Sequence, residues 1–143
     1  MLFHRKGHGV HSPFVFNFII RVIEEKARYY AYEQIEESYS NAKLQAKKES
    51  LPKPLPLKYH KLTYRVVNRF APQTILELGN DCGVTTKAMS LAATKAQITT
   101  LYSNGVEEIK NYLSQSIPNF IYIHACKTAE EYKELYATLT QYL

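Results

Sequence analysis

Residues 74–86, TILELGNDCGVTT, constrain this chain more than any other stretch. A short apolar run rich in strand formers, residues 75–78, ends at Gly79. Three residues of mixed character lead to Gly83, and the periodicity then turns helical, with Val84, Ala88, Leu91 and Ala92 on one face. Strand, glycine loop and helix in succession bring a backbone close to a nucleotide-like ligand at a helix N-terminus. Glycine suits such a loop because it accepts positive φ and has no Cβ to block an approaching ligand. A nucleoside triphosphate loop is excluded, since no Gly-Lys-Ser/Thr follows. The three-glycine dinucleotide pattern is also missing.

The rest of the chain alternates elements around this unit. Ser12 and Pro13 read as N-cap and first position of a helix carrying Phe14, Val15, Phe18, Ile19, Val22 and Ile23 on one broad face. Glu24 and Arg28 are spaced for an i,i+4 ion pair on its wet side. Residues 29–50 are strongly charged, and Ile35, Tyr39 and Leu44 give only a thin apolar stripe, which predicts a solvent-facing helix or two. The alternating prolines of residues 51–57 (LPKPLPL) impose an extended connector. Residues 58–70 form an amphipathic helix with Tyr59, Leu62, Thr63, Val66, Val67 and Phe70 on the inner face, ended by Ala71-Pro72.

Beyond the glycine loop and its helix, residues 97–101 read as a second strand and residues 106–115 as a helix. Residues 119–123 form a third strand, and Thr128 with Glu131 forms a capping box for the last helix. Helical connections between strands imply right-handed crossovers and a parallel sheet. The expected fold is α/β: a partial Rossmann-like parallel sheet of about three strands with flanking helices, after an N-terminal helical segment. The division is residues 1–57 (arm, helices and connector) and residues 58–143 (partial Rossmann-like domain).

Composition narrows the function classes. No apolar run approaches the ~20 residues of a membrane span, and no cleavage site follows the apolar residues 14–23. Two cysteines, Cys82 and Cys126, have neither metal spacing nor disulfide density, so a reduced, cytoplasmic setting is the expectation. The net charge of +5 is spread along the chain, and the twelve tyrosines are scattered. A basic solvated surface is favoured over a nucleic-acid partner. His4, His8 and His11 invite a metal reading, but Gly7 and Gly9 interrupt the helix that would make them converge, so no metal is assigned.

Glu77-x-Gly79-x-x-x-Gly83 resembles the first motif of class I S-adenosylmethionine-dependent methyltransferases, and ILELG…GVTT is most similar to their O-methyltransferase branch. HGVHSPFVF resembles the opening of small bacterial proteins grouped with that class, and is read as an arm that folds over a pocket. The resemblance implies S-adenosylmethionine as cofactor, with Glu77, Gly79, Asn80 and Gly83 at its methionine end. An acid there suits a ligand carrying a sulfonium and an ammonium.

The family ends its second strand in an acid that grips both ribose hydroxyls. Tyr102 stands at that place and offers one hydroxyl instead of a carboxylate fork, with Glu107 and Glu108 nearby in the next helix. After the third strand, where the family has an acid near the adenine, the sequence reads His124-Ala125-Cys126-Lys127. The family's sheet has seven strands and this chain supplies three. The resemblance therefore covers the cofactor-binding half, with no residue assigned to catalysis and the small-molecule methyl acceptor unidentified. It also leaves strand one open on the side where the family places strand four, to be covered by the N-terminal helices, a homodimer mate or another protein. The alternative reading is a truncated, non-catalytic binding or assembly module.

Overall fold

The computed structural model describes residues 12–79, 82–102, 105–124 and 128–142. Helix α1 (Pro13–Phe18) runs into a π-helical turn, Ile19–Ile23, and is followed by α2 (Ala31–Glu49) and α3 (Leu57–Phe70). Then come β1 (Thr74–Leu78), α4 (Val84–Ala92), β2 (Gln97–Leu101), α5 (Val106–Gln115), β3 (Phe120–Ile123) and α6 (Ala129–Leu139). The three strands form one parallel sheet in the order β2-β1-β3, with Leu76 opposite Thr99 on one side and Ile121 on the other. The fold is thus α/β, a partial Rossmann-like sheet with flanking helices. Local chemistry starts the helices as expected: the Ser12 hydroxyl accepts from the Val15 amide, and Thr128 accepts from Glu131.

Strand β1 is buried on both faces, and its alternation divides the core. Ile75 packs with Val67 of α3 and Met89 of α4. Leu76 and Leu78 pack on the other face with Ile109 and Leu113 of α5 and Leu135 and Leu139 of α6. Helices α4 and α5 therefore cover opposite faces. This is the outcome that right-handed crossovers require when the chain moves from β1 out to β2 and then back across β1 to β3. The expectation of an open edge beside β1 is corrected here. The third strand fills that edge, the place the resemblance reserves for a fourth strand, and the sheet reverses direction immediately after β2.

The helical segment before the sheet belongs to the same core. Tyr32, Ile35 and Ala42 of α2 form one apolar cluster with Tyr64 of α3 and Val84 and Ala88 of α4. The stripe on α2 is Tyr32, Ile35, Ala42 and Ala46, while Leu44 stands in solvent. Of the expected stripe, Ile35 is buried and Tyr39 packs against the cluster, while Ala42 and Ala46 went unread because small alanines, which permit close helix approach, carry little weight in a hydrophobicity pattern. Helix α3 is likewise rotated by about one residue, or ~100°, from the sequence expectation. It buries His60, Thr63, Tyr64 and Val67, and leaves Tyr59 and Phe70 about half exposed. Polar groups can face inward there because each has a partner: the Thr63 hydroxyl donates to the Tyr59 carbonyl, and the His60 ring is bonded at both nitrogens.

The first helix ends at Ile23, so Glu24 and Arg28 share no helical face and the expected i,i+4 pair has no helix to form on. Arg65 of α3 fixes this end instead. Its Nε donates to the Val22 carbonyl at 2.6 Å, its Nη2 to the Ile23 carbonyl at 3.3 Å, and its Nη1 to the Tyr32 hydroxyl at 3.1 Å. A cation at a helix C-terminus satisfies free carbonyls and opposes the helix dipole. Tyr29, Tyr32 and Tyr64 meet beside it with ring centroids 5.2–5.8 Å apart. No helix among the described residues is long and apolar enough to cross a membrane.

Two outcomes are expected. Ile35→Ala should cost about 2–5 kcal/mol in urea unfolding, as for a core residue, whereas a helix lying only on the surface would lose no more than about 0.5 kcal/mol. Burial, the largest cause, pushes both the Tyr29 and Tyr64 phenols up, with the negative charge of Glu25 adding to the rise at Tyr29. The folded chain then holds these protons to higher pH than the unfolded chain does. The stabilisation is fully present below about pH 10 and falls as pH rises past it. Unfolding at pH 9 and 11 should show a smaller loss in a Tyr29→Phe/Tyr64→Phe variant than in the parent, and equal losses would contradict this assignment.

Candidate functional site

The glycine loop lies where β1 ends and the sheet reverses. Gly79 has φ 85° and Gly83 has φ 79°, left-handed conformations that favour glycine at both positions. The Gly79 amide donates to the Leu101 carbonyl at 2.8 Å, which ties the loop to the end of β2. On the other side, the His124 amide donates to the Leu78 carbonyl at 2.8 Å, which ties it to the end of β3. A Cβ built on Gly83 meets nothing within 4 Å, so the glycine answers to backbone conformation rather than to crowding, and open space lies beside it. Cys82 is exposed and also left-handed, at φ 64°. In doubly wound sheets, ligands bind in the crevice beyond the strand C-termini where the strand order reverses. Here the strand order reverses between β1 and β3.

Beneath the loop sits a wholly buried carboxylate. Glu77 has no solvent exposure, and its Oε2 accepts from the Thr86 hydroxyl at 2.6 Å and the Thr100 hydroxyl at 2.9 Å. Thr100 stands opposite it on β2 and Tyr122 opposite it on β3. Glu77 therefore links the central strand to its neighbour and to the first turn of α4. Thr85, one residue earlier on α4, is bonded at 3.2 Å to Nδ1 of the buried His60. His60 Nε2 must carry a proton, because its other partner, the Leu55 carbonyl at 2.9 Å, can only accept. In the neutral ring, Nδ1 then accepts from the Thr85 hydroxyl. The paired threonines after Gly83 thus face inward and fasten the helix start to β1 on one side and to α3 on the other.

The remaining sequence candidates fall around this unit. Tyr102 follows β2 and is 76% exposed. Glu107 lies in the first turn of α5, where it pairs with Lys110 at 3.6 Å, and Glu108 beside it is exposed. His124 follows β3 directly, and its ring stacks on Tyr122 with centroids 6.4 Å apart and planes 16° apart. Asn80, Cys126 and the histidines at 4, 8 and 11 lie outside the described residues.

His60 and Thr100 were not legible as members of this site. A histidine beside Tyr59 on an amphipathic helix shows its inward direction only once the helix is rotated into place. The partnership of Thr100 with Glu77 depends on strand register. The hydroxyl pair after Gly83 was the one available signal, and it pointed to the loop rather than to what the hydroxyls hold. No protein-family model, no curated protein and no solved structure matches this chain.

The geometry makes Thr86 a keystone of the loop–helix junction. Thr86→Val keeps the shape and removes one donor from a buried carboxylate, so urea unfolding should show a loss of about 1–3 kcal/mol. The same change at exposed Thr94 should stay within about 0.5 kcal/mol.

Proposed function

We propose that this chain is the cofactor-binding half of an S-adenosylmethionine-dependent methyltransferase that transfers a methyl group to oxygen on a small molecule. One observation carries the reading. Two left-handed glycines bracket the loop between the central strand and α4, at the reversal of the sheet, above a buried acid. Open space beside Gly83 fits a ligand that must lie against backbone.

The cofactor, when bound, supplies a methyl group on an electrophilic sulfonium. The chain's part is to hold and orient it. Loop amides and the start of α4 approach its polar end, while Glu77 braces them from below through Thr86 and brings negative charge beneath a cationic ligand. Tyr102 offers one hydroxyl toward the ribose from the end of β2. Positioning of this kind favours in-line attack by the acceptor.

Tyr102, where a carboxylate fork would grip both ribose hydroxyls, favours the second reading of a non-catalytic binding or assembly module. Calorimetry and thermal shift with S-adenosylmethionine test the proposal together. Ligand at 100 times its Kd should add about 2.7 kcal/mol of stability. Gly79→Val should abolish binding. Tyr102→Asp, which supplies the missing fork, should tighten it by about tenfold, or 1.4 kcal/mol. No binding by the parent at millimolar ligand, or no gain in Tyr102→Asp, would count against a cofactor lying across these strand ends.

A further inference from the structure

The C-terminal end of α2 carries a second feature. Ser50 ends the helix in a left-handed conformation, φ 55°, and the amides of Ser50 and Leu51 both donate to the Ala46 carbonyl. This cap turns the chain back, and Pro52, Pro54 and Pro56 keep the returning segment extended. The reversal brings Lys53 alongside Lys43 and Lys47, which stand four residues apart on α2. The three lysines line a cavity of about 500 Å³, with Ala46 and Leu51 as its apolar surface. A neighbouring depression of about 350 Å³ shares Lys43 and Lys47 and adds Tyr39 and Leu44.

Three lysines gather at this cavity, and Nζ of one of them, Lys43, lies 5.5 Å from the centroid of the Tyr39 ring. Among the described residues, Lys43, Lys47 and Lys53 make no ion pair, whereas Lys61 is paired with Glu36. That pairing holds the Glu36 carboxyl below its usual range, the hydrogen bond from Lys61 being the largest cause. Glu49, near the cavity in sequence, accepts from Gln45 instead. The dipole of α2 accounts for lysines in its last turn. It does not account for Lys53, which lies on the returning segment, or for a hollow that the three lysines line together with Ala46 and Leu51.

We propose that this cavity binds a small anionic amphiphile, a phosphate or carboxylate headgroup held by Lys43, Lys47 and Lys53 with a short apolar body against Ala46 and Leu51. Its size falls within the range of small-molecule sites, about 300–1,000 Å³. The three ammonium groups supply donors and charge for the headgroup but no acceptor, so a neutral polar ligand gains little there. The site is independent of the glycine loop and stands whatever the outcome there.

Calorimetry with octyl phosphate, kept below its aggregation concentration, tests the assignment against inorganic phosphate and octanol. Octyl phosphate should bind at least about tenfold more tightly than either part alone, and added salt should weaken it by screening the headgroup contact. A Lys43→Gln/Lys47→Gln/Lys53→Gln variant should lose this binding. It should keep the parent's circular dichroism and urea midpoint, because the three side chains are exposed. Equal binding by parent and variant would overturn the proposal, as would phosphate binding as tightly as octyl phosphate or no binding at millimolar octyl phosphate. Retained S-adenosylmethionine binding in the variant would show that the two sites are separate, and joint loss would overturn their independence.

Discussion

A buried carboxylate holds this fold at its centre. Glu77 lies in the middle strand with no exposure, and one of its oxygens takes hydroxyl bonds from Thr100 on β2 and Thr86 on α4. A carboxylate removed from water is costly unless it is hydrogen-bonded, so the two threonines are a condition for an acid at this position. The result is directional. Apolar packing alone would let α4 slide or turn on the sheet, but the Thr86 hydroxyl bond to Glu77, at 2.6 Å, fixes where the helix begins, while the Thr100 bond holds the carboxylate to β2. The position of Gly83, and with it the shape of the loop, follows from that start.

The second determinant is where the sheet reverses. By crossing back over β1 after a single outward step, the chain places α4 and α5 on opposite faces and buries β1 on both. A central strand flanked by two parallel neighbours satisfies its ladder on both edges, so the glycine loop emerges from its most constrained element. The same reversal sets the ends of β1 and β3 side by side, with His124 following β3 and Tyr102 following β2 on the other side of β1. The setting of the loop is a consequence of one choice of strand order.

The N-terminal helices complete the layer on the α4 face. Tyr32, Ile35 and Ala42 of α2 cover Val84 and Ala88, while the Arg65 guanidinium ties α3 to the end of the first helical segment through two carbonyls and to α2 through the Tyr32 phenol. His60 reaches across the same layer to Thr85. The helix start beneath the glycine loop is therefore fastened from the sheet by Glu77 and from the helical layer by His60. Neither anchor alone fixes both its position and its tilt.

Local chemistry determined much of this by itself. The glycines at 79 and 83, the caps at Ser12 and Thr128, the extended proline segment and the limits of β2 and α5 were legible, and β1 only to within one residue. Each depends on backbone sterics or on hydrogen bonds between residues a few positions apart. Only the tertiary structure decided the edge that β3 takes, the rotation of α3 that buries His60 and exposes Tyr59, the alanine-rich stripe on α2, and the partners of Glu77. Those outcomes depend on contacts between residues far apart in sequence, for example nine positions between Glu77 and Thr86 and twenty-three between Glu77 and Thr100. A helix's own pattern permits several rotations, and a strand's own pattern permits either edge. The choice falls to an arrangement that gives buried groups such as His60 and Thr85 their partners while closing both faces of the central strand.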